Sequence, residues 1–264
     1  MHKVKIAALV VIAAVVVGAL SQVPASPFAV HGHAARPAVS TSPSVASGVS
    51  APTPKSPKHP VQPAARPITY PVHGTGSYAT LPGTPSTIGT TGRLLGYRLV
   101  VEGGIQGIDR AAFARFVRET YGNAQGWTAG GQWRFRQVGA RDPADFMLML
   151  VTPATRDELC GGGHNRYTSC RIRDQVVLNI ARWVHGVPNF GASLTIYRQY
   201  MINHETGHRL GRGHELCPAP GLPAPVMQQQ TLGLHGCTAY AWPYLGGRRY
   251  KGRLGDYNDR TPAA

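Results

Sequence analysis

The sequence predicts an α/β domain of the α+β kind, a mixed sheet with one backing helix and one longer helix that carries chemistry. Three observations predict it. Short runs of apolar alternation are interleaved with two stretches of helical period over residues 68–210. Thirteen of the 22 prolines fall between Pro24 and Pro85, which leaves the later chain largely free of breakers. All twelve acidic residues lie at or after Glu102, so front and back differ in kind. A chain that is globular throughout is excluded, as is one disordered throughout. The compact part, roughly 170–195 residues, is long enough for one good core.

The elements follow in order. Lys3 and Lys5 precede an apolar run from Ile6 to Leu20, so residues 1–23 read as a signal peptide or an N-terminal membrane anchor. Fifteen apolar residues are short for a span, which needs about 20. Both readings put the remainder outside the cytoplasm. Residues 24–67 are rich in Pro, Ala and Ser and have no period, which describes a disordered tether. Residues 68–264 form the domain. Gly76 to Leu81 and Gly92 to Glu102 alternate as strands. Asp109 caps a helix from Arg110 to Tyr121, whose Ala112, Phe113, Phe116 and Val117 make one stripe before Gly122. Strands are predicted at Trp133 to Val138, Phe146 to Val151 and Gln175 to Trp183, and the longest helix at Leu194 to Leu210.

A net charge of +15 and the run Arg248-Arg249-Tyr250-Lys251-Gly252-Arg253 invite a nucleic-acid reading. No basic helix or nucleic-acid-binding motif accompanies them. An exported basic protein meets anionic envelope polymers or a membrane surface instead, and a solvated basic tail is the plainer account. Cys160, Cys170, Cys217 and Cys237 make an even count in an exported chain, so two disulfides are expected. Three pairings are open, and proximity favours Cys160–Cys170 with Cys217–Cys237. A thiolate ligand at Cys217, three residues beyond His214, is the competing reading.

The chemistry sits at the end of the long helix, in His204-Glu205-Thr206-Gly207-His208-Arg209-Leu210-Gly211-Arg212-Gly213-His214. Imidazoles four residues apart share one helix face and can share a metal. Gly211 stands where the helix must stop and turn with positive φ, which brings His214 back as a third ligand. Glu205 is placed as a general base rather than as a ligand. Three ligands with a fourth position open describe a catalytic zinc site, one ion per chain. From this chain's composition the five fixed residues would recur by accident about 4 times in 10⁵ chains of this length.

The run fits H-E-x-x-H-x-x-G-x-x-H, and so resembles the zinc signature of the metzincin metalloproteases. Pro225-Val226-Met227-Gln228, thirteen residues on at Met227, looks like that family's Met-turn. From about Ile68 onward the layout also resembles an actinobacterial family of secreted proteins of unknown function, catalogued as candidate zinc metallopeptidases. The resemblance implies a twisted mixed sheet, a zinc cleft, an active-site helix and a methionine packed beneath the zinc-binding imidazoles. It also implies an edge strand for substrate, here near Ser169 to Arg173. A tyrosine after the Met-turn that stabilises the transition state would be Tyr240 or Tyr244. Glu215 is similar to a residue that in the astacin-like branch anchors a processed N-terminus. His73, His164, His185 and His235 are expected to be solvent-exposed, although His235 could lie near the metal. Asp145 and Asp174 are candidates to orient a ligand imidazole. Gln228, Gln229 and Gln230 either edge a substrate pocket or cap a turn. The reading that follows is an exported zinc endopeptidase acting on peptide or protein. Its rivals are a hydrolase of cell-wall peptide cross-links and a non-catalytic, zinc-stabilised envelope-binding module.

Overall fold

The computed structural model describes residues 66–161 and 165–262. The expected signal or anchor segment, nearly all of the expected tether, and His164 lie outside them. Along the chain come β1 (Tyr78–Thr80), β2 (Thr87–Ile88), β3 (Arg93–Glu102), α1 (Arg110–Gly122), β4 (Trp133–Gln137), β5 (Phe146–Val151) and α2 (Pro153–Cys160). Then follow β6 (Cys170–Ile172), β7 (Gln175–Asn179), α3 (Ile180–His185), α4 (Leu194–Arg209), β8 (Tyr244–Leu245) and β9 (Arg248–Arg249).

The sheet is mixed, in the order β2-β4-β3-β5-β7-β6. β4, β3, β5 and β7 run parallel, while β2 and β6 close the two ends antiparallel. β3 is long enough to serve two partners along one edge. Arg93 to Tyr97 pair with β4, and Val100 to Glu102 pair with β1.

Alternation along the strands sorts the core into two layers. Leu95, Tyr97, Leu99, Leu148, Leu150, Val176 and Leu178 face one side and pack with Phe113, Val117 and Tyr121 of α1 and Tyr197, Tyr200 and Met201 of α4. Burying a side chain of this size contributes about 1.5–3 kcal/mol. Val100, Met149, Val151 and Val177 face the other side, where Leu159 of α2 joins them. The sequence placed one helix behind the sheet and one beneath it. Instead α1 and α4 share a face and touch, and α2 packs on the opposite face against β6 and β7.

Two local events explain the other departures. The expected strand Gln175 to Trp183 stops at Asn179, because the Asn179 side chain accepts from Ala181 N at 2.9 Å and starts α3. The α2 helix begins after Thr152 with Pro153 at its first position. There the buried Glu102 carboxylate accepts from Thr152 N at 2.7 Å and also from the Thr155 hydroxyl. Asp109 caps α1 as expected, accepting from Ala112 N at 2.9 Å.

Both disulfides form, Cys160–Cys170 with Cα atoms 6.2 Å apart and Cys217–Cys237 with Cα atoms 5.8 Å apart. The thiolate-ligand reading of Cys217 therefore falls. Bridges of this kind persist in oxidising compartments, so the domain works outside the cytoplasm. Among the described residues no helix is long and apolar enough to cross a membrane. Replacing Cys217 and Cys237 together by serine is expected to cost about 3 kcal/mol, since the bridge spans a sequence separation of 20. Denaturant titration checks this, and an unchanged midpoint would show that the loop is held without its bridge.

Candidate metal centre

The centre is built on α4, and the reasons begin with its packing. Ser193 caps the helix by accepting from Ile196 N at 3.3 Å. Its last two turns are locked by three buried hydrogen bonds. Trp127 Nε1 donates to Asn203 O at 2.9 Å, Asn203 Nδ2 donates to Ala241 O at 2.9 Å, and Tyr121 and Thr206 share their hydroxyls at 2.9 Å. Gly207 has no room for a side chain, because a Cβ there would lie 2.3 Å from Met227 Sδ and 2.8 Å from Trp127. Helix and methionine turn are therefore in direct contact.

Gly211 ends the helix with φ +79°, the conformation its position called for. The chain then folds back so that the Arg212 carbonyl accepts from His208 Nδ1 at 2.8 Å. Pro225 to Gln228 form a tight turn, closed by Gln228 N donating to Pro225 O at 2.9 Å. Inside that turn the Val226 carbonyl accepts from His204 Nδ1 at 2.8 Å. His214 donates Nδ1 to the Asp256 carboxylate. A carbonyl or carboxylate only accepts, so each ring carries its proton on Nδ1 and turns a bare Nε2 lone pair inward.

Those lone pairs converge. His204 Nε2 and His208 Nε2 lie 3.2 Å apart, and ligand atoms of all three histidines lie within 4.8 Å of one another. Two lone pairs at that distance cannot bond each other, and a cation satisfies both. The triad could hold a metal ion. Burial lowers the pKa of His204, and lowers that of His208 to about 4, so both rings are neutral ligands at physiological pH.

Glu205 is buried and lies on the wall of the same cleft, which encloses about 700 Å³. Burial pushes its carboxyl up to about 8, with the Arg156 charge pulling it down. The cleft is also edged by β6, the antiparallel end strand, at the place the sequence assigned to an edge strand.

Other sequence candidates lie elsewhere. Tyr240 and Tyr244 do not line the cleft. The Tyr240 hydroxyl donates to Tyr244 O at 2.7 Å and accepts from Gln125 Nε2 at 2.8 Å, while the Tyr244 ring packs on Gly130. Glu215 accepts from Arg249 Nη2 at 2.9 Å and from Gly252 N, so an internal arginine fills the role the resemblance gave to a processed N-terminus. Arg249 also lies over the Trp127 ring, which makes part of the basic tail structural. Asp174 pairs with Arg209, and Asp145 accepts from Gly96 N, so neither orients a ligand. Gln228 and Gln230 hold the turn by side-chain bonds to backbone carbonyls, whereas Gln229 edges the cleft. His73 and His185 are exposed. His235 stacks on Tyr257 and pairs with Asp259, and is not part of the triad.

Sequence reasoning missed Asp256 and Arg156. Asp256 lies 42 residues from the histidine it orients. The one available signal was rarity, since only two of twelve acids follow Glu215. Partners of this kind typically contribute 10–100-fold in metal affinity. Asp256→Ala is therefore expected to weaken metal binding by about 10-fold or more in a competition titration with a chelator. Unchanged affinity would mean that the tail plays no part in the centre.

No curated protein and no solved structure matches the chain. Residues 65–244, which take in the triad, Glu205, the turn at Met227 and both disulfides, match the family described as "Protein of unknown function (DUF3152)", and the chain belongs to that family.

Proposed function

We propose that this protein is an exported zinc-dependent endopeptidase of the metzincin type. One observation carries the reading: three imidazoles converge beside a buried glutamate, on the wall of an open cleft. The donor set fits zinc. Three nitrogen ligands with every Nδ1 already engaged leave one coordination position for chemistry, and they offer neither the thiolates of a closed structural site nor the oxygens that calcium and magnesium prefer. The turn at Met227 pressed against Gly207, and an antiparallel strand at the cleft edge, support the metzincin reading in particular.

When bound, zinc supplies a Lewis acid that polarises the scissile carbonyl and acidifies water. The protein supplies the rest. Val226 O, Arg212 O and Asp256 fix the three rings in one tautomer and one orientation, so little reorganisation accompanies reaction. Glu205 takes the proton of the attacking water and passes it to the leaving amine. The Arg156 charge opposes the upward push of burial on this carboxyl without cancelling it. β6 offers free backbone groups along one edge, to which an extended peptide can pair. The cleft carries out peptide hydrolysis with its own proton carrier and needs no further cofactor.

The test is hydrolysis of a casein-like protein by the purified domain. Activity is expected to disappear with a chelator and return on adding about one equivalent of zinc. A protein that binds zinc and cuts neither protein nor isolated wall peptide would be a binding module instead.

A further inference from the structure

The proposed reaction uses the histidines and Glu205, on which the Arg156 charge acts, but makes no use of the hydrogen-bond donors of that buried cation on the cleft wall. Arg156 projects from α2, and its side chain is only 6% exposed, yet it lines the cleft together with Glu205. Burying a guanidinium is costly unless its donors are matched. Two of its five donors are matched, by Asp157 Oδ1 at 3.0 Å and Thr168 Oγ1 at 2.7 Å. Its Nε is buried with no partner. Asp157 does not neutralise it fully, because the same carboxylate accepts from Arg166 N at 2.8 Å and faces Arg166 Nε at 3.8 Å.

The surrounding wall has the same sign. Arg171, on β6, is exposed into the cleft and makes none of the ion pairs found among the described residues. Arg212 also lines the cleft from the loop after α4, with its guanidinium donating to Gln132 Oε1 at 3.2 Å. Against Arg156 and Arg171 stand two acids on the wall. Glu205 is committed to proton transfer, and Asp259 is bonded to His235 Nε2 at 2.7 Å. The Cys160–Cys170 bridge ties the end of α2 to the start of β6, so Arg156 and Arg171 stand on two elements clamped together. Two guanidiniums on clamped elements, lining one cleft, match a planar anion better than an apolar side chain.

We propose that the cleft selects peptides by a carboxylate held at Arg156 and Arg171. That carboxylate belongs either to an acidic side chain near the scissile bond or to the peptide's own C-terminus. This inference rests on the peptidase reading, since a peptide must lie in the cleft for its carboxylate to reach these residues. Arg156 acts as a specificity residue, gripping substrate from α2, whereas two of the zinc ligands stand on α4. A site whose buried donors remain unmatched discriminates strongly against a ligand that lacks the acceptor.

The experiment measures equilibrium binding, so that turnover is a separate reading. Alanine-based hexapeptides blocked at both ends carry one glutamate moved through every position, with a glutamine set to match. A third set ends in a free carboxylate or an amide. Each is titrated into chelator-treated parent protein and into zinc-loaded Glu205→Gln, because a carboxylate can also bind zinc directly. In both proteins at least one carboxylate peptide is expected to bind about 10-fold or more tightly than its neutral counterpart. The preferred set tells a side-chain carboxylate from a terminal one. The preference is expected to vanish in Arg156→Gln and shrink in Arg171→Gln. Should Arg156→Gln fail to fold, Arg156→Lys reads the same point, because it keeps the charge and loses the forked donors. Equal binding of charged and neutral peptides by the unsubstituted protein would overturn the proposal, as would a preference that needs zinc and survives loss of Arg156. Peptides cut without a charge preference would sink this inference and leave the hydrolase standing; peptides bound with preference and never cut would do the reverse.

Discussion

Glu205→Gln is expected to fold, keep its zinc and turn over at least about 10²-fold more slowly than the parent. Several facts make this substitution clean. Glutamine has the same size, so the packing around a residue that is 6% exposed is preserved. The triad needs no help from Glu205, because each ring is oriented by its own acceptor: Val226 O, Arg212 O or Asp256. Replacing a carboxyl by a neutral amide also removes a buried ionisable group, which burial alone disfavours in its charged form. Stability should therefore hold or rise slightly. What is lost is a proton acceptor, whose contribution is typically about 10²–10⁴-fold. The readouts are turnover, zinc content and thermal unfolding on one preparation. Equal turnover would remove Glu205 from the mechanism and leave the metal centre intact. Loss of zinc with loss of activity would instead make Glu205 a structural support of the site.

How much of this was legible in the sequence depends on the range of each interaction. α4 was legible because its information is local: a helical period, histidines four apart and a glycine at the stop. The turn at Met227 was legible for the same reason, as its residues are contiguous. The fate of Tyr240 was not, because position after the turn says nothing about which acceptor captures the hydroxyl, and Tyr244 O and Gln125 do so. Asn179 shows a subtler failure. The run Gln175 to Trp183 is apolar enough for a strand, yet one side-chain cap changes its period halfway. α2 was silent for want of length, since eight residues give too few turns to display a stripe. Silence there concealed Arg156, the buried cation of the cleft wall. Asp256 and His214 meet only in three dimensions, through a tail that returns to the cleft after the small β8–β9 hairpin.

The last expectation concerns the metal. His208→Ala should fold and lose most of its zinc. Among the three ligands this one separates binding from packing best. His204 is 5% exposed and packed against Tyr200, so its removal opens a hole in the core and confounds the reading. His214 leans on the tail through Asp256, so its loss would also free a carboxylate. His208 is half-buried, and besides the triad its ring bonds only to Arg212 O, a carbonyl in a loop that water can reach. Removing it leaves two imidazoles, one short of the set that holds a catalytic zinc. Because metal binds the folded state and not the unfolded one, the parent should gain about 2.7 kcal/mol of stability at a free zinc concentration 100 times its Kd. In His208→Ala that gain should disappear while the zinc-free stability stays close to the parent's. His185→Ala is the control, since that ring is exposed and not part of the triad, and it should keep both zinc and the stability gain. Full zinc in His208→Ala by elemental analysis would discard the ligand assignment. A zinc-free parent that binds none on titration would discard the centre itself, and with it the hydrolase built on it.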